Sequence, residues 1–290
     1  MATPMDQLPT DSCLRPPATF FGAEVGDLAN LRPGKVACCG VFCDHFGASV
    51  PGGRFFARQL RYCSSDPWTR NELSLNAENV IDVGDLNVYP LEQTRLGLVL
   101  REQVGQIADT GARPFIASGG YGLTPAIVAG ISDAIDSSAQ DPRPLEVIRV
   151  SRFHGRDDAD PNGPLVVPRS QASRRLIQIL GGQERSLHWF TSARAVISGG
   201  HLPSALGPCF LSVDADILAP IYGDTGSYRG LQGDRPDDVR KMAAFLEGRQ
   251  IVGIEMTGHL PNFELHGRAL TNFIVAICAS FLELLREPSP

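Results

Sequence analysis

No run in this sequence is apolar and long enough to cross a bilayer. The most apolar long segment, 269–285, contains Thr271, Asn272, Ser280 and Glu283, and reads as a packed C-terminal helix. Residues 1–32 lack the basic start and apolar stretch of a secretion signal, and carry prolines at 4, 9, 16 and 17. A basic surplus is also missing. The 26 Lys+Arg against 32 Asp+Glu give a net charge of −6 and a pI of about 5.5, which argues against nucleic acid as a partner. The seven cysteines are odd in number, and Cys38, Cys39 and Cys43 crowd into one apolar run. That pattern excludes a disulfide framework as the basis of the fold and points to a reducing cytoplasm. Gly119-Gly120 lacks the Lys-Ser/Thr ending of a phosphate-binding loop. No internal repeat and no long linker divides the 290 residues.

What is present is an ordinary soluble composition, 43% hydrophobic and 20% charged, in a chain long enough to bury one large core. Apolar runs at 35–42, 79–83, 114–118, 145–153, 188–190, 193–198, 209–214 and 250–255 predict strands. Amphipathic or capped stretches at 54–63, 91–110, 125–135, 170–180, 236–247 and 264–286 predict helices. The alternation predicts one α/β domain over 35–290, a mainly parallel sheet covered on both faces, behind an irregular segment 1–34.

In such a sheet, ligands bind beyond the carboxyl ends of the strands. The loops at those ends hold Asp44, His45, Asp85, Tyr121, His154, Asp157, Asp158, Asp160, Asp214, Asp216 and His259. The sharpest local signal is Leu211-Ser212-Val213-Asp214-Ala215-Asp216, a buried strand that ends in two carboxylates. Strand alternation puts both on one side, where like charges are costly unless a cation neutralises them or a proton is shared. The plainer alternative is that Asp214 bonds backbone and Asp216 caps the following loop.

Several collinear segments resemble the ureohydrolase superfamily of arginases and agmatinases. They are Gly40 to Asp44 with Ala48 to Arg61, Val80 to Val88, Ser118 to Leu123, Ser212 to Pro220, and Ile254 to Glu264. The resemblance implies a single three-layer α/β/α domain around an eight-stranded, mainly parallel sheet. It also implies assembly into homo-oligomers, trimers or hexamers. The family holds two manganese ions on six side chains, which fall here at Gly122, Ser151, Phe153, Gly155, Asp214 and Asp216. The aspartate beside the first ligand becomes Tyr121. The glutamate that positions the guanidinium falls at Gly258, and the terminal aspartate at Glu264. Only two ligands survive.

The resemblance and the residues together leave three functions. The first is a metal-independent enzyme of specialised metabolism acting on a small polar molecule. In it Asp214 and Asp216 act as acid and base, with His154 and His259 assisting. Arg152 then binds an anionic group, and Tyr121, Ser151, Phe153 and Glu264 line the substrate. No cofactor, nucleic acid or membrane is expected. The second is a non-catalytic homologue that binds a ligand or regulates a partner. The third is a rebuilt amidinohydrolase in which a one-residue slip brings His154 beside Asp214 and Asp216 to hold one divalent ion.

Overall fold

The computed structural model describes residues 18–44, 52–72, 77–86, 88, 92–138, 144–152, 172–181, 186–198, 202, 207–218, 233–258 and 269–286. Among the described residues, eight strands form one sheet: β1 Glu24–Val25, β2 Val36–Val41, β3 Val80–Asp85, β4 Arg113–Ser118, β5 Glu146–Val150, β6 Leu187–Phe190, β7 Cys209–Asp214 and β8 Ile251–Thr257. Their order is β1-β3-β2-β4-β8-β7-β5-β6, and every pairing is parallel. The helices are α1 Phe56–Ser64, α2 Pro67–Glu72, α3 Gln93–Asp109, α4 Thr124–Ser138, α5 Ala172–Ile179, α6 Ala193–Ile197, α7 Pro236–Leu246 and α8 Ala269–Leu284.

Strand residues alternate between two cores. Val36, Cys38, Phe115, Ala117, Leu211, Val213, Ile254 and Met256 pack toward α1, α6, α7 and α8. Ala37, Cys39, Val41, Ile116, Val147 and Phe210 pack toward α3, α4 and α5. Because both faces are covered, β2 is buried at all six positions, which explains its unbroken apolar run. The three-layer architecture read from the sequence is therefore the one observed.

Three local expectations change. Residues 193–198 read as a strand by composition, but 193–197 form helix α6. Two caps decide this: the Ser192 side chain accepts the Ala195 N–H at 3.1 Å, and buried Asp234 accepts the Ala193 N–H at 2.5 Å. Asp234 also receives Arg194 Nε at 3.1 Å. Removing this cap in Asp234→Ala is expected to cost about 1–2 kcal/mol, read as a lower urea midpoint at unchanged slope.

Within the N-terminal segment expected to be irregular, Glu24 and Val25 form the edge strand β1 on β3. Nearby, Phe20 and Phe21 are buried against Phe115, with ring centroids 6.5 Å away in each case. Two residues are too few to show a period, so this strand left no signal in the sequence. The third change is at β5, which ends at Val150, before Ser151 and Arg152.

The six described cysteines are buried thiols outside any disulfide. Burial pushes Cys38, Cys39 and Cys278 far above the ordinary thiol range and Cys209 up to about 12, so none of these four offers a thiolate near neutral pH. Among the described residues, no helix is long and apolar enough to cross a membrane.

Candidate active site at the carboxyl ends of the central strands

Strands β4, β8, β7 and β5 lie side by side in the middle of the sheet. Their registers align Ser118, Thr257 and Asp214 in one row, and Ile116, Glu255, Ser212 and Arg149 in the row two residues below. Both rows face the α4 side, opposite the neighbouring Ala117, Met256 and Val213. The upper row is the mouth of the sheet, where strand ends meet loops.

The lower row is a buried polar cluster. Glu255 is fully buried and accepts Ser118 Oγ at 2.6 Å, Thr124 Oγ1 at 2.7 Å and Ser212 Oγ at 3.1 Å. Burial pushes its carboxyl above the usual range, while the three hydroxyls and the buried Arg149 guanidinium pull it back. One carboxylate thus ties β4, β7, β8 and the start of α4 together.

Asp214 and Asp216 are 1% and 2% exposed. Strand alternation does not place them as expected. The strand stops at Asp214, and Ala215–Ile217 form a 3-10 turn. Asp214 Oδ1 accepts the Asp216 N–H at 2.8 Å and so caps that turn, and Asp216 Oδ1 accepts the Arg152 N–H at 3.4 Å. The Ile217 carbonyl closes the turn by accepting Arg152 at 3.1 Å and the Asp234 N–H at 2.8 Å. Arg152 is therefore fixed beside the aspartate turn by both its backbone and its side chain. Gly258, at φ +80°, follows β8, and a Cβ there would overlap Asp214 Oδ1. Only glycine lets the carboxylate lie so close to this strand end.

Ser151 is buried at the end of β5. Tyr121 begins the 3-10 turn Tyr121–Leu123, but its side chain lies outside the described residues. His154, His259, Phe153 and Glu264 also lie outside them, as do His45, Asp157, Asp158 and Asp160. Two other aspartates, Asp44 after β2 and Asp85 at the end of β3, serve the fold. Asp44 accepts the Gly52 and Arg54 N–H groups at 3.1 and 2.6 Å. Asp85 accepts Arg61 Nη1 at 2.5 Å, while the same guanidinium binds Asp82 at 2.8 and 3.0 Å.

Reading the sequence alone misses Arg149, Glu255 and Thr257. A usable signal existed: Arg149 and Glu255 are opposite charges inside runs that read as buried strands, and burial demands that such charges meet.

The described donors do not fit a binuclear manganese centre. Of the six positions implied by the resemblance, Gly122 has no side-chain donor and Ser151 offers a neutral hydroxyl, which leaves Asp214 and Asp216 as the only carboxylates among the described ones. Among the described residues, no three His, Cys, Asp or Glu side chains gather closely enough to hold an ion.

The Arginase family model matches residues 34–151. Similar solved structures share the fold over nearly the whole chain. Proclavaminate amidino hydrolase from Streptomyces clavuligerus is 16% identical, with a TM-score of 0.70 over 94% of this chain and 97% of that one. A hypothetical agmatinase from Burkholderia thailandensis is 17% identical, with a TM-score of 0.72 over 92% and 90%. Formimidoylglutamase from Bacillus subtilis is 14% identical, with a TM-score of 0.72 over 96% and 95%. No curated protein sequence matches. The resemblance to the ureohydrolase superfamily is thereby borne out: the chain carries the arginase-family match in its first half and the ureohydrolase fold across almost its whole length.

Proposed function

We propose that this chain is a ureohydrolase-fold enzyme that acts by acid–base chemistry on a small polar molecule of specialised metabolism, without the manganese pair. One observation carries the reading. Two carboxylates, Asp214 and Asp216, are held out of water on one tight turn, each fixed by a backbone N–H, with Arg152 docked against the turn. Neighbouring buried carboxylates favour sharing a proton over both ionising. In this reading the ionised member takes a proton from the substrate, and the protonated member returns one to the atom that gains electrons.

Arg152 would bind an anionic group of the substrate. His154 and His259 would assist proton transfer, with Ser151, Tyr121, Phe153 and Glu264 lining the rest. A cytoplasmic homo-oligomer, trimeric or hexameric, belongs to the same reading by analogy. No cofactor, nucleic acid or membrane enters it.

The test is to incubate the purified protein with a small-metabolite extract in the presence of a chelator and follow every mass signal. The expected result is consumption of at least one metabolite, lost in Asp214→Asn and in Asp216→Asn. No consumption at all would instead identify a non-catalytic, ligand-binding or regulatory homologue. Urea released from a guanidino compound, and abolished by the chelator, would identify a rebuilt amidinohydrolase using a single divalent ion.

A further inference from the structure

Beside β4, the carboxyl end of β2 carries a cation held in place and left open on one side. Asp44 Oδ1 accepts the Arg54 N–H at 2.6 Å, and Asp44 Oδ2 lies 3.3 Å from Arg54 Nε, so one carboxylate fixes both ends of this residue. The guanidinium also lies against two rings, with Cζ 4.9 Å from the Phe55 centroid and 5.8 Å from that of Phe42. The rings themselves meet edge to face at 5.8 Å. These contacts order a side chain that carries large rotamer freedom on an open surface. It is nonetheless 46% exposed, and its Nη groups have no acceptor among the described residues. Phe42 is 44% exposed, although it directly follows a strand buried at all six positions. The place belongs to the mouth of the sheet. A Cβ on Gly53 would overlap the Gly119 carbonyl oxygen, and one on Gly119 would overlap that of Cys43, so this loop closes over the residue that follows β4.

We infer that Arg54 and Phe42 form an anion-binding position on the β2 side of the mouth, and that it takes a monocarboxylate attached to an apolar body. A guanidinium carries only N–H donors and no acceptor. Asp44 occupies the Nε side, which leaves the Nη groups as a fork matched to a carboxylate. A ligand cation meets like charge there and no acceptor on Arg54, while the Asp44 side chain is 9% exposed and already turned to Arg54 and the Gly52 N–H. Because Asp44 and Arg54 cancel in charge, one further negative charge is accommodated better than the two of a phosphate monoester. The exposed ring of Phe42 supplies a wall for the carbon skeleton, and covering it takes apolar surface out of water. Arg54 is ordered before the ligand arrives, so binding loses little side-chain entropy.

This position goes beyond the acid–base reading, and its test does not require turnover. Benzoate, benzylammonium, benzamide and phenyl phosphate are offered separately to the full-length protein, with binding followed by saturation-transfer NMR. The expected result is that benzoate binds more tightly than the other probes and that Arg54→Met weakens it about tenfold or more. Arg54→Lys keeps the charge but not the planar fork, so its affinity for benzoate should fall between those of Arg54→Met and the wild type. Phe42→Ala should weaken benzoate about threefold or more. That variant removes a half-exposed ring and leaves the Asp44–Arg54 pair in place, so it decides the matter even if Arg54→Met, which strips Asp44 of its cation, does not fold. Benzoate binding that is absent from the wild type, or unchanged in Arg54→Met or in Phe42→Ala, would overturn the inference. So would benzylammonium, benzamide or phenyl phosphate binding as tightly as benzoate. If benzoate binding depends on Arg54 but no extract metabolite is consumed, the catalytic reading fails and the anion position stands. If turnover needs Asp214 and Asp216 while benzoate ignores Arg54, the reverse holds.

Discussion

Asp214→Asn and Asp216→Asn are each expected to lower turnover by at least about a hundredfold, the low end of what a positioned acid or base contributes. These substitutions suit the test because they keep the backbone contacts. In Asp214→Asn the amide oxygen can still accept the N–H of residue 216, a bond of 2.8 Å in the wild type. In Asp216→Asn it can still accept the Arg152 N–H, a bond of 3.4 Å in the wild type. The 3-10 turn therefore persists, and only the ability to take up or release a proton goes. Circular dichroism and melting temperature should stay near wild type while the rate collapses. If one proton is shared by the pair, the double variant should be little worse than either single one, since groups that act as a unit lose their function together. Full activity in both single variants would remove the aspartates from the chemistry.

Glu255→Ala is expected to lower stability by about 3–5 kcal/mol, on the order of 10 °C in melting temperature. The change takes the Glu255 charge away from the buried Arg149 guanidinium and removes the acceptor for Ser118, Thr124 and Ser212 together. Removing one partner of a buried polar cluster costs more than the cluster itself contributes. The pH dependence has a definite sign. Burial raises the folded carboxyl above its ordinary value of 4.5, so the folded state holds this proton longer than the unfolded chain does. The stability linked to that proton is complete below about pH 4.5 and is lost as pH rises through the folded value. Glu255→Gln cannot ionise, so its urea midpoints across this range should fall less with rising pH than those of the wild type. A wild type whose midpoint rises more steeply than that of Glu255→Gln would contradict the assignment.

Much of the fold was legible because a sheet covered on both faces writes its strands as plain apolar runs. β2, β4, β7 and β8 were all readable in this way, and of the α3 face read as Leu96, Leu98, Val99, Val104 and Ile107, the residues Leu96, Val104 and Ile107 are buried, while Leu98 is exposed and Leu100 is buried in addition. Helix α6 was not legible. Ala193 to Ile197 read as a strand by composition, and the group that fixes it as a helix, Asp234, is 41 residues away. The same physics limited the site. Asp214 and Asp216 stood out because they lie two residues apart in sequence, whereas Thr257 and Glu255 gain meaning only from the register that sets them beside Asp214 and Ser212. Alternation also misled at Asp216. It treats the chain as strand through residue 216, but Asp214 ends the strand by capping the next turn with its own side chain.

The central proposal is that this arginase-like fold works without the manganese pair that the resemblance implies, and metal content measured on the active protein tests it most directly. Elemental analysis of the purified protein, paired with turnover of any metabolite found to be consumed, should find manganese, zinc, iron and nickel each well below one ion per chain, with the rate unchanged after chelation. Two manganese ions per chain, with activity lost to chelator and restored by manganese, would contradict it.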